Sequence, residues 1–190
     1  MVLIGNLPPT NDDQATAISV DNERVRALAF TLPAGNNYSL DNAILRLRNL
    51  RIVSPADIPL VQIRNDGGSN PGSTVLASFT NPPNLGPGTF DYTFTPTAPF
   101  TFIAGTKYWL TVASTQGQFG WNIGTTPGIT PTGIATLSGN RVSNNGGSTF
   151  SNSANFNSFQ INATKVPEPS AIAALSLFGL GLLGVKGRRN

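Results

Sequence analysis

Apolar residues recur at every second position in short stretches of residues 1–165, and this spacing limits the possible folds more than any other feature. Phe90, Tyr92 and Phe94 alternate with Thr and Asp, the pattern of a β-strand that buries one face. No amphipathic helix is expected between such stretches. The same alternation places further apolar sets at Leu28, Phe30 and Leu32; Ala43, Leu45 and Leu47; Val61 and Ile63; Val75, Ala77 and Phe79; Tyr108, Leu110 and Val112; and Phe159 and Ile161.

The connections between these stretches are rich in turn-forming residues. Gly, Pro, Asn and Asp are concentrated in residues 33–37, 65–72, 81–84 and 86–88, which favours short strands joined by tight turns. Residues 143–157 are rich in Ser, Asn and Gly, so we expect a long mobile loop or an irregular edge there. The sequence therefore predicts an all-β domain, an antiparallel β-sandwich of the jelly-roll kind.

An apolar segment, residues 171–185, follows close to the C-terminus. It contains no charge, and Ser176 is its only polar side chain. Its eight Ile, Leu, Phe and Val side chains would contribute about −2.5 to −5 kcal/mol to membrane insertion, part of which its Gly residues cancel. A buried core helix is the alternative, but such a helix should show a polar stripe, and none is present. We therefore predict one short hydrophobic helix that inserts into a membrane, although at about 22 Å it is shorter than the hydrocarbon core.

Positive charges after this segment predict its orientation. Lys186, Arg188 and Arg189 would remain in the cytoplasm, leaving everything before Val166 outside the membrane. The same residues, set against Glu168, supply two units of the net charge of +3, so residues 1–165 carry only +1. With no stripe of basic and aromatic residues in that part, a nucleic-acid partner is not expected.

Three ordered elements at the C-terminus resemble the PEP-CTERM sorting tail of bacterial surface proteins. They are Val166, Pro167, Glu168 and Pro169, then the apolar segment, then the basic end. The resemblance implies recognition by an exosortase, cleavage near Pro-Glu-Pro, and transient anchoring in the inner membrane of a bacterium that produces exopolysaccharide. We therefore divide the chain into an extracellular β-domain, residues 1–165, and a sorting signal, residues 166–190.

An export signal should precede such a domain, and the first residues do not provide one. Residues 1–7 carry no side-chain charge, and they run directly into Pro8 and Pro9. We expect the export signal to lie upstream of Met1. The alternative is a cytosolic protein with a chance apolar tail.

Several short stretches of the domain are similar to the choice-of-anchor group of bacterial surface domains, type R. They are residues 4–8, 29–33, 38–41 with 45–48, 65–68 with 71–72, and 105–110. The resemblance implies display at the cell surface and implies no activity, so it carries over no catalytic residues.

Composition excludes several classes of enzyme. The chain has no His and no Cys, which removes Ser-His-Asp and Cys-His catalysis and thiolate metal sites. A glycoside hydrolase remains a weak alternative, because it needs two facing carboxylates and the spacing of the acids indicates no such pair. We expect no enzymatic activity, no cofactor and no metal; Asp66 and Asn70 are a weak Ca²⁺ candidate against a plain Gly-rich hairpin loop.

Glycan binding is the functional alternative to a purely structural surface role. Trp109 is predicted on the outer face of its strand, where an exposed ring can stack on a sugar, and Trp121 is a second candidate. Arg46 and Arg48 lie opposite Leu45 and Leu47 in the alternation, so both guanidinium groups would face solvent and could bind an acidic exopolysaccharide. The alternatives are packing of both rings against a neighbouring loop and ion pairing of the arginines with Glu23, Asp41 and Asp57.

Overall fold

A computed structural model of the chain describes residues 1–8, 17–51, 56–123 and 128–167. Every regular element in these residues is a β-strand. In chain order the strands are β1 (Val2–Gly5), β2 (Ala17–Val20), β3 (Arg24–Thr31), β4 (Tyr38–Arg48), β5 (Ile58–Asp66), β6 (Pro71–Thr80), β7 (Thr89–Pro96), β8 (Thr101–Phe102), β9 (Lys107–Gln116), β10 (Phe119–Asn122), β11 (Thr132–Gly133), β12 (Thr136–Asn144), β13 (Ser151–Asn152) and β14 (Phe159–Lys165).

The strands form one antiparallel sheet that curls into a half-barrel. Its first half has the order β11-β1-β14-β4-β7 and its second half the order β6-β5-β9-β3-β12-β13, while β8 and β10 pair with β4, and β2 pairs with β10. The halves meet at a short seam, where Phe79 of β6 lies opposite Pro96 of β7 and Thr80 opposite Thr95. The prediction of an all-β, antiparallel fold is confirmed.

The hydrophobic core lies between the inner faces of the two halves. Leu45, Phe94 and Ile161 from the first half and Leu28 and Leu110 from the second are at most 1% exposed. Burial of a side chain of this size stabilises the fold by about 1.5–3 kcal/mol. The alternation in the sequence therefore gives the longer strands, such as β4 and β9, the apolar faces that cover each other in the core.

An aromatic cluster joins the two halves beside the start of β4. Phe102 of β8 lies 5.6 Å from Phe30 of β3 and 5.1 Å from Tyr108 of β9, measured between ring centroids, and Phe100 lies 5.0 Å from Phe102. The ring planes of these three pairs are steeply inclined, the edge-to-face arrangement that aromatic pairs favour.

One detail differs from the expectations drawn from the sequence, and a second decides between two alternatives that the sequence left open. Val75 is 40% exposed, because the pairing of β5 with β6 is irregular after Ile63 and so interrupts the alternation. Residues 143–157 contain the short strand β13, and the buried Ser143 hydroxyl accepts hydrogen bonds from the amides of Asn145 and Gly147. This segment is an irregular edge held by local hydrogen bonds.

The predicted C-terminal hydrophobic helix, residues 171–185, lies outside the described residues. Among the residues that are described, no helix has the length and apolar character needed to cross a bilayer.

Candidate functional site

The last strand of the domain ends where the sorting signature begins. β14 lies between β1 and β4 and ends at Lys165, and the Val166 amide then donates a hydrogen bond of 3.0 Å to the Asn37 carbonyl. Pro167 is exposed. Val166 and Pro167 thus continue from an ordered strand, whereas the remaining predicted tail residues, Glu168, Pro169, Lys186, Arg188 and Arg189, lie outside the described residues.

Exposed apolar side chains surround this junction. Strands β1, β14, β4 and β8 are neighbours in that order, and their ends near Lys165 carry Met1, Val2 and Ile103. These three side chains are 60%, 41% and 50% exposed. The end of the sheet from which the tail continues is therefore partly apolar at its surface.

Trp109 lies on the outer face of the second half, as predicted, but its ring is covered. The indole is 0% exposed and packs with Ala27, Ala29 and Phe150 in a small cluster of its own. Its Nε1 donates a hydrogen bond of 2.9 Å to Asp66 Oδ1. The arrangement matches the packing alternative, because no face of the ring is open to stack on a sugar.

The same contacts occupy the carboxylate of the weak Ca²⁺ candidate. Lys107 Nζ lies 3.0 Å from Asp66 Oδ1 and 5.1 Å from the Trp109 ring centroid. Burial acts to raise the pKa of Asp66, but hydrogen bonds from Trp109, Lys107 and the Gly68 amide, with the charge of Lys107, hold that pKa below its ordinary value.

Asn70, the other residue of the Ca²⁺ candidate, is also engaged. Its Oδ1 accepts a hydrogen bond of 3.3 Å from Arg141 Nε. Both side chains therefore bind cationic groups of the protein. In the part of the chain that the structure describes, no three Asp or Glu side chains converge to hold a metal.

Trp121 is also fully buried, on β10, which pairs with β2 and β4. Its Nε1 donates to the Ser158 carbonyl at 2.9 Å, and its ring lies 6.5 Å from that of Phe159. It therefore offers no surface to a ligand, and its position too matches the packing alternative.

Arg46 and Arg48 lie on the outer face of the first half, as predicted. Arg46 Nη1 is 2.9 Å from Asp91 Oδ1 on the adjacent strand β7, so this guanidinium is ion-paired. Arg48 lies opposite Thr89 of β7 and Gly120 of β10. Arg46 thus follows the ion-pairing alternative, with Asp91 as its partner in place of Glu23, Asp41 or Asp57.

Two buried polar side chains hold loops in place, and sequence reasoning missed both roles. Asp57 is 2% exposed and accepts hydrogen bonds from the Arg51 amide, the Arg51 guanidinium and the Gln118 amide. Asn6 is 8% exposed; its amide nitrogen donates to the Ile129 and Asn157 carbonyls. Their signal in the sequence is weak, because each partner except Arg51 lies more than 60 residues away.

A groove of about 330 Å³ lies on the outer face of the second half, between the start of β6 and the turn that follows β12. Outward side chains of β5 and β9, among them Gln62, Arg64 and Thr111, line it, and Phe150 and Ser73 contribute on either side. None of the glycan-binding residues predicted from the sequence lies in this groove.

Comparison with family models identifies the C-terminal segment. The model described as the PEP-CTERM protein-sorting motif matches residues 165–190, which begin at the last residue of β14. No curated protein and no solved structure matches the chain. The match confirms the predicted sorting tail and supports export of the protein and its exosortase-dependent sorting to the cell surface.

Proposed function

We propose that this chain is a non-enzymatic protein of the bacterial cell surface or extracellular matrix, exported and then processed by an exosortase at its C-terminal tail. The observation that carries the proposal is the position of the sorting motif, which begins at Lys165, the residue at which the folded sheet ends. A processing enzyme that acts beyond Pro167 would leave every described strand of the sheet intact.

The short connection between β14 and the apolar segment supports a position of the folded sheet close to the membrane. The chain from Val166 to Ala171 spans at most about 18 Å when extended, so an apolar segment inserted at 171–185 keeps the end of β14 close to the membrane. The exposed Met1, Val2 and Ile103 side chains lie at this end of the sheet. This apolar end of the sheet is suited to contact the lipid headgroup region while the tail is anchored in the membrane. Lys186 to Arg189 would then lie in the cytoplasm.

The absence of catalytic activity is part of the proposal. The chain has no His and no Cys, and the carboxylates of Asp57, Asp66 and Asp91 are each bound by a basic side chain. A hydrolytic pair needs one carboxyl with a raised pKa, whereas the pKa of Asp66 is lowered. This arrangement suits structural ion pairs better than general acid catalysis.

The finer fold assignment also belongs to the proposal. We assign the curled sheet to the jelly-roll type of β-sandwich and to the choice-of-anchor group, type R. The opposed halves of the sheet, with one core between them, favour the β-sandwich. The choice-of-anchor assignment is supported by the short similar stretches of sequence, such as residues 29–33 and 105–110.

Localisation in a bacterium that produces an exosortase tests the proposal. A full-length chain with an epitope in the loop between β5 and β6 and an export signal should reach the surface, where external protease removes the epitope. Substitution of Glu168 by Ala together with Pro167→Ala and Pro169→Ala should abolish surface display. Pro83→Ala, at another exposed proline, is the matched control and should be displayed normally. Equal display of the triple variant and the control would refute the proposal.

A further inference from the structure

Among the described residues that line the groove on the outer face of the second half, one side chain is ionisable. That side chain is Arg64, and these lining residues include no Asp and no Glu. Within the described part of the chain Arg64 forms no ion pair, whereas Arg24, Arg46, Arg51 and Lys107 each pair with a carboxylate. The groove is therefore a local site of positive charge on a domain of almost neutral net charge.

The guanidinium of Arg64 is held in place by a neutral neighbour. Its Nε and Nη2 donate hydrogen bonds of 3.2 and 2.9 Å to Gln62 Oε1. Gln62 neutralises no charge, and these two bonds leave Nη1 for a further acceptor. A fixed guanidinium without a counter-ion is suited to a planar anion such as a carboxylate, which it can bind by charge-assisted hydrogen bonds.

The rest of the groove has the mixed character of a carbohydrate site. Ser73 is exposed at the start of β6 and offers a hydroxyl, and Gln62 Nε2 can donate to a sugar hydroxyl. Phe150 contributes an apolar ring on the opposite side, which can pack against the C–H face of a pyranose. The volume of about 330 Å³ falls within the range of small-ligand sites.

We propose that this groove binds a carboxylate-bearing sugar unit of an acidic polysaccharide, with Arg64 on the carboxylate, Gln62 and Ser73 on hydroxyls, and Phe150 against the ring. The single cation argues against a nucleic acid, whose binding needs several phosphate contacts along one surface. The groove lies on the second half of the sheet, whereas Arg46 and Arg48 lie on the first. The groove is open to a ligand, in contrast to the ring of Trp109, which is buried.

Calorimetric titration of the full-length chain, in a non-ionic detergent without a sugar headgroup, tests this site. The probe is an oligogalacturonate, and the matched control ligand is the same oligomer with every carboxylate methyl-esterified, which keeps the backbone and removes the charge. We expect binding of the acidic oligomer that weakens as salt is raised, and at least tenfold weaker binding of the neutral one. Equal binding of the two oligomers, or binding of neither, would overturn the proposal. If inorganic phosphate displaces the acidic oligomer at a concentration equal to that of the oligomer, the groove is a simple anion site. That result would also overturn the proposal.

Two variants assign the binding to the groove. Arg64→Gln should weaken binding of the acidic oligomer at least tenfold, while Arg46→Gln, which removes one positive charge from the other half of the sheet, should bind as the wild type does. Ser73→Trp fills the groove from an exposed position and leaves Arg64 intact, so it should abolish binding without disturbing the fold. Unchanged affinity in Ser73→Trp, or an equal loss in Arg46→Gln, would place binding elsewhere and refute the site.

Discussion

Substitution of Trp109 by Ala separates a structural indole from a ligand platform. In the structure the indole ring of Trp109 is 0% exposed. A Cβ added to Gly139 would lie only 3.0 Å from Cη2 of Trp109, so the ring packs directly on the backbone of β12. A structural role predicts a large loss of stability in Trp109→Ala. An exposed platform for sugars would instead predict lost binding at unchanged stability.

The size of the effect follows from the contacts of the ring. A fully buried Trp covers about 200 Å² of side-chain surface, equivalent to about 5 kcal/mol at 25 cal/mol per Å². Phe150 lies in a loop that can partly close over the space left by the indole, so we expect a loss of about 3–4 kcal/mol. Trp109→Phe keeps a ring but loses the hydrogen bond to Asp66, which retains Lys107 as a partner. This smaller change should cost about 1–2 kcal/mol.

Urea unfolding of a chain that ends at Lys165 measures these differences. Far-ultraviolet circular dichroism follows the sheet, and the fluorescence of Trp121, also buried, follows the core after Trp109 is removed. Leu85→Ala, at a side chain that is 56% exposed, is the control and should change stability by less than about 0.5 kcal/mol. A Trp109→Ala chain within about 1 kcal/mol of the wild type, at an unchanged m-value, would refute the reasoning.

Three further predictions concern strand β1, an ion pair and the tail. Gly5→Ala should destabilise the domain by at least about 2 kcal/mol in urea unfolding, because the new Cβ would lie 2.8 Å from backbone atoms of the neighbouring strand β14; unchanged stability would contradict the packing of β1. Asp66 has a lowered pKa in the folded state, so its ion pair with Lys107 should stabilise the fold, by under about 1 kcal/mol. This contribution should be complete above the ordinary pKa of an Asp side chain, about 3.9. It should be lost as pH falls through the folded-state pKa, and Asp66→Asn should remove this part of the pH dependence of unfolding; an unaltered pH profile would contradict it. The full-length chain should fractionate with membranes, and Leu180→Arg should release it because a central charge costs about 2.5–3.5 kcal/mol of insertion. A chain ending at Lys165 should be soluble and equally folded, and failure of that chain to fold would show that the tail is part of the core.

The sequence predicts the inner faces of the strands well because burial on one face follows local alternation. Leu45, Phe94 and Leu110 could each be assigned to the core from their immediate neighbours. Val75 could not, since its exposure depends on an irregular pairing with another strand. The position of Trp109 on the outer face of the sheet was predictable from the alternation on β9.

The surroundings of that outer face were not predictable, because they come from distant parts of the chain. The covering ring of Phe150 lies 41 residues further along the sequence than Trp109, and its hydrogen-bond acceptor Asp66 lies 43 residues before it. The groove beside Arg64 likewise exists only once the start of β6 and the turn after β12 are placed on either side of β5 and β9. The sorting tail, in contrast, is a linear signal and could be identified from its sequence alone.

The mature C-terminus of the protein recovered from the cell surface tests the central claim most directly. Mass spectrometry of a chain displayed by an exosortase-producing bacterium should give a C-terminal peptide that ends between Lys165 and Ala171, near the Pro-Glu-Pro signature, with the entire sheet up to β14 retained. Surface protein that still ends at Asn190, or that is cleaved within the described strands, would contradict the account.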